Sequence, residues 1–482
     1  GGWNKILQTN FYSYTNPDFS FINHHWGSGI IFYLIWKVAG LTGLAIFSIS
    51  LNLLTFFIFF HLAKKKAGFY TASLVTLFLI PLIAERTEIR PEIFSYLLSA
   101  IFFWLLLRYR FESLPSPSEG RRGGEERWLL LLIPLQALWI NLHIYFFLGI
   151  GIVGAFWIDA ALCKDRIKLK WLTIILGATI LASLINPSGL KGLLYPLQIF
   201  QNYAVPVSEN VSVKQFALEH PGYANMINFK IAALIFGITW LLLIIKNKKK
   251  LPFYQIALGL FFTIVAYRSV RNLTIFAFFS LPLISAATYH IIPWEKLAKY
   301  TLIQKKIIGG LIIALVLLAV GLINRQRIGL IWDNRYLGLQ RGEEAAAQFI
   351  LQNNIKGPLF NDFDAGSYVI YFLYPKMRPF IDNRPEAFPA EFVNNTYVPL
   401  HTEDKAWRDA LAKYSFNTIL YAFDDKAPFA LPFIVNRLLD PEWAPVFADK
   451  YYIVFVKRGA ENAEVIRKYE IPQDRFSLSE EK

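Results

Sequence analysis

"LTGLAIFSISLNLLTFFIFFHLAKKKAGFYTASLVTLFLIPLIAERTEIRPE", residues 41–92, decides the fold. Two apolar runs, 41–63 and 68–84, are divided only by three lysines, and the second ends in a knot of acids and arginines. Crossing a bilayer takes about 20 apolar residues. Runs of similar character recur at about 91–107, 128–142, 144–162, 171–186, 229–245, 253–270, 273–291 and 307–324. Composition agrees: the 482 residues are 55% hydrophobic and 17% charged, with mean hydropathy +0.37. Soluble domains carry about 25% charged residues, so much of this chain must be solvated by lipid.

The connectors between runs alternate in charge. Those at 64–66, 108–127, 164–170, 246–250 and 294–306 hold 20 Lys and Arg; residues 1–40, 85–90, 187–228 and 268–272 hold eight. Cytoplasmic loops carry the excess of Lys and Arg, which puts the first set inside and the second outside. The net charge of +14 is therefore a topology signal, and no nucleic-acid partner is expected. The insert at 113–127 reads as a flexible cytoplasmic loop. With residues 1–40 outside and Gly rather than Met at position 1, an upstream span is expected, the chain being N-terminally truncated. The single Cys163 permits no internal disulfide.

From about 327 the apolar runs cease. Helical patterns at 342–354, in "AGSYVIYFLY" and at 404–414 alternate with strand patterns at 357–362, 378–384, "NTILYAF" and "YYIVFVKR". That alternation implies a small α/β domain with a mainly parallel sheet. Asp362, Asp364, Asp382 and Arg384 fall at strand ends, where such sheets bind ligands. Helix and turn capping is the commoner use of Asp there. No glycine-rich phosphate loop is present.

Ionisable groups at span ends are expensive unless they face a polar cavity. On the outer side these are Asp18, His24, His25, Glu85, Arg86, Glu88, Arg90, Glu92, His143, Glu209, Arg268 and Arg271. Arg86 and Arg90 either pair with neighbouring acids or hold a phosphate, which a guanidinium grips by two oxygens. Arg268 and Arg271, spaced i, i+3, would point the same way from a helix end and share an anion. His143 sits with Asn141 at a turn, as a hydrogen-bonding group or a proton carrier. "NPSG" at 186–189 reads as a structural helix stop. Adjacent His24 and His25 diverge on a helix and are a poor metal pair.

Taken together, "DFSFINHHWGSGIIFYLIWKVAG", "RPEIFSYLL", "WINLH", "NPSG" and "FNDFDAGSYVIYF…RPFIDNRPE" resemble the GT-C superfamily of integral membrane glycosyltransferases. The bacterial protein-mannosyltransferase and aminoarabinose-transferase relatives are the most similar. The resemblance implies a polytopic α-helical membrane protein of about 10 spans, 11 in full, with a C-terminal extracytoplasmic α/β domain. The expected layout is 1–40 as first outer loop with interfacial helices, 41–326 as transmembrane domain and 327–482 as soluble domain. It implies inverting, general-base-assisted transfer of a sugar from a polyprenyl-phosphate donor to a glycan, lipid or protein acceptor, at the outer face of the plasma or inner membrane. Asp18 is then the catalytic base, with Glu85 or Glu88 as substitutes. Arg86, Arg90, Arg268 and Arg271 contact phosphate, and His24, His25 or His143 binds sugar or phosphate. Some relatives use a divalent metal; these residues favour none. The family's essential acid can also lie ahead of Gly1. The alternative is a non-catalytic protein of the same fold, such as a transporter, flippase or assembly scaffold. Against it, midspan regions are nearly devoid of charge, His61 being the main exception, and inverted repeats are not evident.

Overall fold

The computed structural model describes residues 2–86, 88–112, 127–199, 208–246, 253–291, 301–326, 328–329, 339, 342–423 and 425–476. The expected loop at 113–127 thus lies, but for Arg127, outside the described residues.

All ten apolar stretches lie largely within helices. In order these are α1 (Gly2–Gln8), α2 (Trp26–Ile83), α3 (Glu92–Glu112), α4 (Arg127–Leu130), α5 (Leu132–Leu142), α6 (Phe147–Leu162), α7 (Arg166–Ala182), α8 (Gly189–Gln198), α9 (Val213–Glu219), α10 (Ala224–Lys246), α11 (Phe253–Arg268), α12 (Leu273–Ile291) and α13 (Leu302–Ile323). Among the described residues, five helices are long and apolar enough to cross a membrane: α2, α3, residues 144–162, α10 and residues 270–289. This is a helical membrane protein.

The 58-residue α2 is not one rod. Gly40 (φ 64°, ψ −165°) and Gly68 (φ 77°, ψ 168°) interrupt it, in a backbone region that is essentially glycine's alone. They cut α2 into an amphipathic entry segment and the two predicted spans. Local chemistry sets other boundaries. Asp165 accepts from Lys168 N at 3.1 Å to cap α7, and Thr301 with Gln304 forms a capping box on α13. Asn186 closes the "NPSG" turn, accepting from Ser188 N (2.9 Å) and donating to Ser183 O (2.9 Å) and Gly189 O (3.0 Å).

Residues 270–289 are the central span, with 94% of their most apolar window buried. Phe279 stacks on Phe262 (3.9 Å between ring centres) and meets Phe59 edge-on (5.0 Å), so α2, α11 and α12 share one aromatic core. Polar ties fix the register: Gln136 Nε2 donates to Phe146 O and Ser183 Oγ, both at 3.0 Å. Asn228 donates to Asn225 (2.8 Å) and to Asn324 (3.0 Å), tying α10 to the end of α13. At the end where α3 and α6 stop and α7 and α11 start, Arg110 pairs with Asp159. Asp159 also accepts from Tyr254 N (3.2 Å), and Lys168 Nζ donates to Arg110 O (3.2 Å).

The chain forms two compact units, 24–196 with 207–338, and 1–23 with 197–206 and 339–482. The segment expected as one outer loop, 1–40, therefore divides at residue 23, and its first part belongs with the C-terminal residues. That second unit holds α14 (Ala345–Gln352), β1 (Leu359–Asn361), α15 (Asp404–Tyr414), β2 (Thr418–Ala422), α16 (Ala430–Leu439), β3 (Trp443–Ala448), β4 (Tyr452–Lys457) and α17 (Ala463–Tyr469). The sheet order is β1-β2-β4-β3. Only β1 and β2 are parallel; β2/β4 and β3/β4 are antiparallel, so the sheet is mixed rather than mainly parallel. Both faces are buried, Phe360, Ile419, Tyr421 and Phe455 on one side and Leu359, Leu420, Val454 and Val456 on the other.

The predicted strand at 378–384 is not a strand. The Asn361 side chain takes the place of a ladder: its Oδ1 accepts from Phe380 N (2.8 Å) and its Nδ2 donates to Ile381 O (2.8 Å). This segment holds the start of the chain. Arg378 donates to the carbonyls of Tyr12 and Ser13, both at 3.0 Å, and also of Phe11, while Thr15 Oγ1 donates to Phe380 O at 2.7 Å. Asp382 and Arg384 pair (2.7 Å), and Arg384 reaches Asn10 (2.7 Å). Asp362 accepts the amides of Asp364 (3.1 Å), Ala365 (3.2 Å) and Ala422 (2.9 Å), a turn-capping role. Burial pushes its carboxyl well above the usual range.

Candidate active site

In the helical unit, the end of α2, the start of α3, the 208–210 turn and the entry to α12 converge on one ionic cluster. Pro91 cannot donate a backbone bond and fits the first turn of α3, so Glu92 enters the helix at its electropositive end. Arg86 forks onto the Glu92 carboxylate (Nε 3.1 Å, Nη2 3.2 Å), and Arg271 Nη2 reaches it at 2.6 Å. Arg86 also binds Glu209 (2.7 Å), which accepts from Arg90 as well (3.0 Å). Arg271 Nη1 donates to Asn210 (3.1 Å), and Ser269 Oγ pins Glu209 O (3.0 Å).

Three guanidinium groups thus meet two carboxylates, an excess of one positive charge. Side-chain exposure rises from 3% at Glu92 and 9% at Arg86 through 18% at Arg271 and 22% at Glu209 to 41% at Arg90. The cluster is sealed at Glu92 and open at Arg90. Burial alone would discharge Arg86 and Glu209. Arg86's ion pairs with Glu209 and Glu92 instead hold it above its ordinary value, and Arg86, Arg90 and Arg271 hold Glu209 below its own.

A layer of neutral donors adjoins. The Arg271 guanidinium lies 5.9 Å from the Tyr145 ring centre. Arg271 Nε and Tyr145 Oη are buried, and neither has a hydrogen-bond partner among the described residues. His143 Nδ1 lies 2.8 Å from Ser95 Oγ, which accepts from Trp139 Nε1 at 2.7 Å. The Ser95 hydroxyl can donate to His143 Nδ1 while it accepts from Trp139, an arrangement that suits the tautomer protonated on Nε2. The His25 ring stacks on His143 (5.3 Å), and its Nε2 is enclosed although the residue keeps some surface. Burial, with Arg271 nearby, lowers His25 to about 4 against the opposing pull of Glu92. Burial, with His25 beside it, holds His143 well below its usual value. Both rings are neutral near pH 7.

The other sequence candidates are dispersed. His24 packs on His25 (3.6 Å) and Tyr195 (5.2 Å). Glu85 accepts from Tyr223 Oη (2.9 Å) and from Asn225 Nδ2. Glu88 is exposed, and Asp18 is exposed in the other compact unit. Arg268 and Arg271 do not point the same way. Ser269 between them is extended (φ −151°, ψ 121°), so helical spacing does not apply and Arg268 stays exposed while Arg271 turns inward. Glu92 and Glu209 were visible as outer acids but not as the centre of the site. Glu92 is signalled by an acid opening an apolar span; nothing local signals Glu209. Among the described residues no group of three or more His, Cys, Asp or Glu is placed to hold a metal ion.

No family model matches the chain. No curated protein matches it either. Among solved structures, the Archaeoglobus fulgidus oligosaccharyltransferase, solved with zinc and sulfate, aligns over 91% of this chain at 11% identity and a TM-score of 0.51. This chain spans about 65% of that protein's length. ArnT from Cupriavidus metallidurans, solved bound to undecaprenyl phosphate, aligns over 89% of this chain and 87% of its own at 12% identity and a TM-score of 0.48. The first alignment is a likeness of fold alone.

Proposed function

We propose that this chain is a multi-pass membrane glycosyltransferase that moves a sugar from a polyprenyl-phosphate carrier to an acceptor at the outer face of the membrane. The observation that carries the reading is a deficit of acceptors. A cluster with one surplus positive charge also holds a buried guanidinium N–H and a buried tyrosine O–H that find no partner among the described residues. Groups that can donate, beside excess positive charge, call for an anion, and a phosphate oxygen fits.

In this reading Arg90 meets the carrier phosphate first, and Arg271 and Tyr145 complete its shell. Glu92 and Glu209 hold the guanidinium groups in place. The acceptor oxygen or nitrogen attacks the anomeric carbon as the carbon–oxygen bond to phosphate breaks. The phosphate leaves on its lipid with the bonding pair, stabilised by the arginines, and the acceptor's proton passes to a carboxylate. Asp18 is assigned that proton, with Glu85 and Glu88 as substitutes. Neutral His25 and His143, with His24, offer hydrogen bonds to sugar hydroxyls. Phosphate charge is neutralised by guanidinium groups, so transfer is expected to survive EDTA.

Two clusters support the topology. Chain ends that the charge alternation puts outside meet at Glu92, and ends that it puts inside meet at Arg110 and Asp159. The C-terminal α/β domain is accordingly assigned to the outer side and the spans to the cell membrane. The test is transfer of label from an undecaprenyl-phosphate sugar in proteoliposomes. Arg90→Ala and Arg271→Ala should each lose about 100-fold or more, the scale of removing one charge-stabilising donor. Asp18→Asn should lose more. Wild-type rates in all three variants would overturn the assignment.

A further inference from the structure

The Glu209 carboxylate joins the sealed part of the ionic cluster to its open mouth. One oxygen, Oε2, accepts from Arg86 Nη2 at 2.7 Å and from Arg90 Nη1 at 3.0 Å, a bridge between two guanidinium groups that a phosphate oxygen can also make. The two arginines depend on it unequally. Arg86 keeps its fork onto Glu92 without Glu209. Among the described residues Arg90 pairs with Glu209 alone, and its side chain is 41% exposed. The turn that carries Glu209 is anchored by other atoms. Ser269 Oγ donates to Glu209 O (3.0 Å), Val270 N to Val211 O (3.1 Å) and Arg271 Nη1 to Asn210 Oδ1 (3.1 Å). The carboxylate can therefore yield Arg90 to an incoming anion while the turn and its charge stay in place.

The donor proposed above carries its sugar on a phosphodiester, which has a single ionisable oxygen. Once the anomeric carbon–oxygen bond breaks, that oxygen keeps the bonding pair, and the lipid is left with a phosphate monoester whose second pKa is about 6. At pH 8 the donor thus bears a single negative charge and the spent carrier bears twice that. On the premise of that donor, we propose that Glu209 is a specificity-determining residue that discriminates between these two anions, opposing the spent carrier more strongly than the donor and so favouring its release. Arg90 exchanges one anion for another, but the displaced carboxylate remains beside the ligand, held to Arg86, and its repulsion grows with each charge the ligand bears. For a carboxylate beside the ligand's own arginine, each ligand charge is worth about tenfold in affinity, between the values for bulk water and for a protein surface. The cost of parting Arg90 from Glu209 is common to both ligands and cancels from their ratio. The ratio of affinities therefore responds to the carboxylate's charge, whatever else borders the mouth of the cluster.

The test compares undecaprenyl phosphate with its methyl diester, which share the lipid and differ in charge, by equilibrium binding to the detergent-purified protein at pH 8. Glu209→Gln should raise the affinity for the monoester about tenfold more than for the diester. Glu219→Gln removes the same charge from the exposed end of α9, where it accepts from Gln215 Nε2 (2.9 Å), and should leave the ratio within about twofold, since solvent and salt screen it. If the glutamine variant does not fold, Glu209→Ser, which leaves room for water around Arg86 and Arg90, should shift the ratio equally. An unchanged ratio, weaker binding of both lipids in the Glu209 variants, or an equal shift in the Glu219 variant would overturn the proposal and leave the donor assignment standing. Failure of the wild-type protein to bind either lipid would overturn both.

Discussion

Glu92 is the residue on which the ionic cluster depends, and Glu92→Gln tests that dependence. The amide preserves shape but removes the charge facing two guanidinium groups, and it turns one acceptor oxygen into a donor. The carboxylate takes two bonds from Arg86 and one from Arg271, and its side chain is 3% exposed. Removing one member of a buried ion pair costs about 3–5 kcal/mol. Two features bring the estimate to the lower end. Arg86 keeps Glu209 at 2.7 Å, and Arg271, 18% exposed, regains some hydration. The expected loss is therefore about 3 kcal/mol, or about 6 °C in melting temperature at about 2 °C per kcal/mol for a unit of this size. Tryptophan fluorescence of the purified protein in detergent reads it. Arg271→Gln should cost less on its own, and combining it with Glu92→Gln should add little, because one interaction is removed twice. A Glu92→Gln protein melting within a degree or so of wild type, or fully additive losses, would refute the claim that this carboxylate organises the site.

Two further outcomes follow from other parts of the chain. His25 binds its proton near pH 4 in the folded state against 6.5 when free, so the unfolded chain protonates first as pH drops. Its contribution to stability is whole above about 6.5 and is lost progressively toward 4; His25→Asn should flatten that part of a melting-temperature profile, and an unchanged slope would count against its burial. Arg378 holds three successive carbonyls of residues 11–13, bonds from a charged donor worth about 1.5–3 kcal/mol each. Arg378→Ala should raise chymotrypsin cleavage at Phe11, Tyr12 and Tyr14 by about tenfold or more; cleavage at the wild-type rate would show that other contacts hold this segment.

What the sequence disclosed and what it withheld divide along a physical line. Lipid solvation acts on each span separately, so every apolar stretch could be read from its own residues, and Pro91, Asp165 and Asn186 mark helix boundaries by rules that reach only a few positions. Pairing across the sheet is not local. β3 contains Pro445, which lacks a backbone donor and reads as a strand breaker, yet β3 is an edge strand where proline is tolerated. Residues 378–384 have strand composition but are held by the side chain of Asn361. In the candidate site, Arg86 and Arg90 were legible because charge at a span end is costly. Their partner Glu209 is 119 and more residues away in sequence, and only the folded chain brings it there. The error over Arg268 and Arg271 came from extending helical spacing across a residue whose backbone is extended.

The union of residues 1–23 with 339–482 has a consequence for how the protein is made. Residues that emerge early from the ribosome find their partners only in the last third of the chain. Arg378, Phe380 and Arg384 are added 365–374 residues after the groups they clasp. At about 5–20 residues per second that is a wait of about 20–70 s, during which every membrane helix is inserted. Through this interval Tyr12, Tyr14 and Phe21 lack the aromatic and apolar partners they will pack against. Completion of the unit that joins residues 1–23 to 339–482 therefore comes only after every described membrane helix has been synthesised.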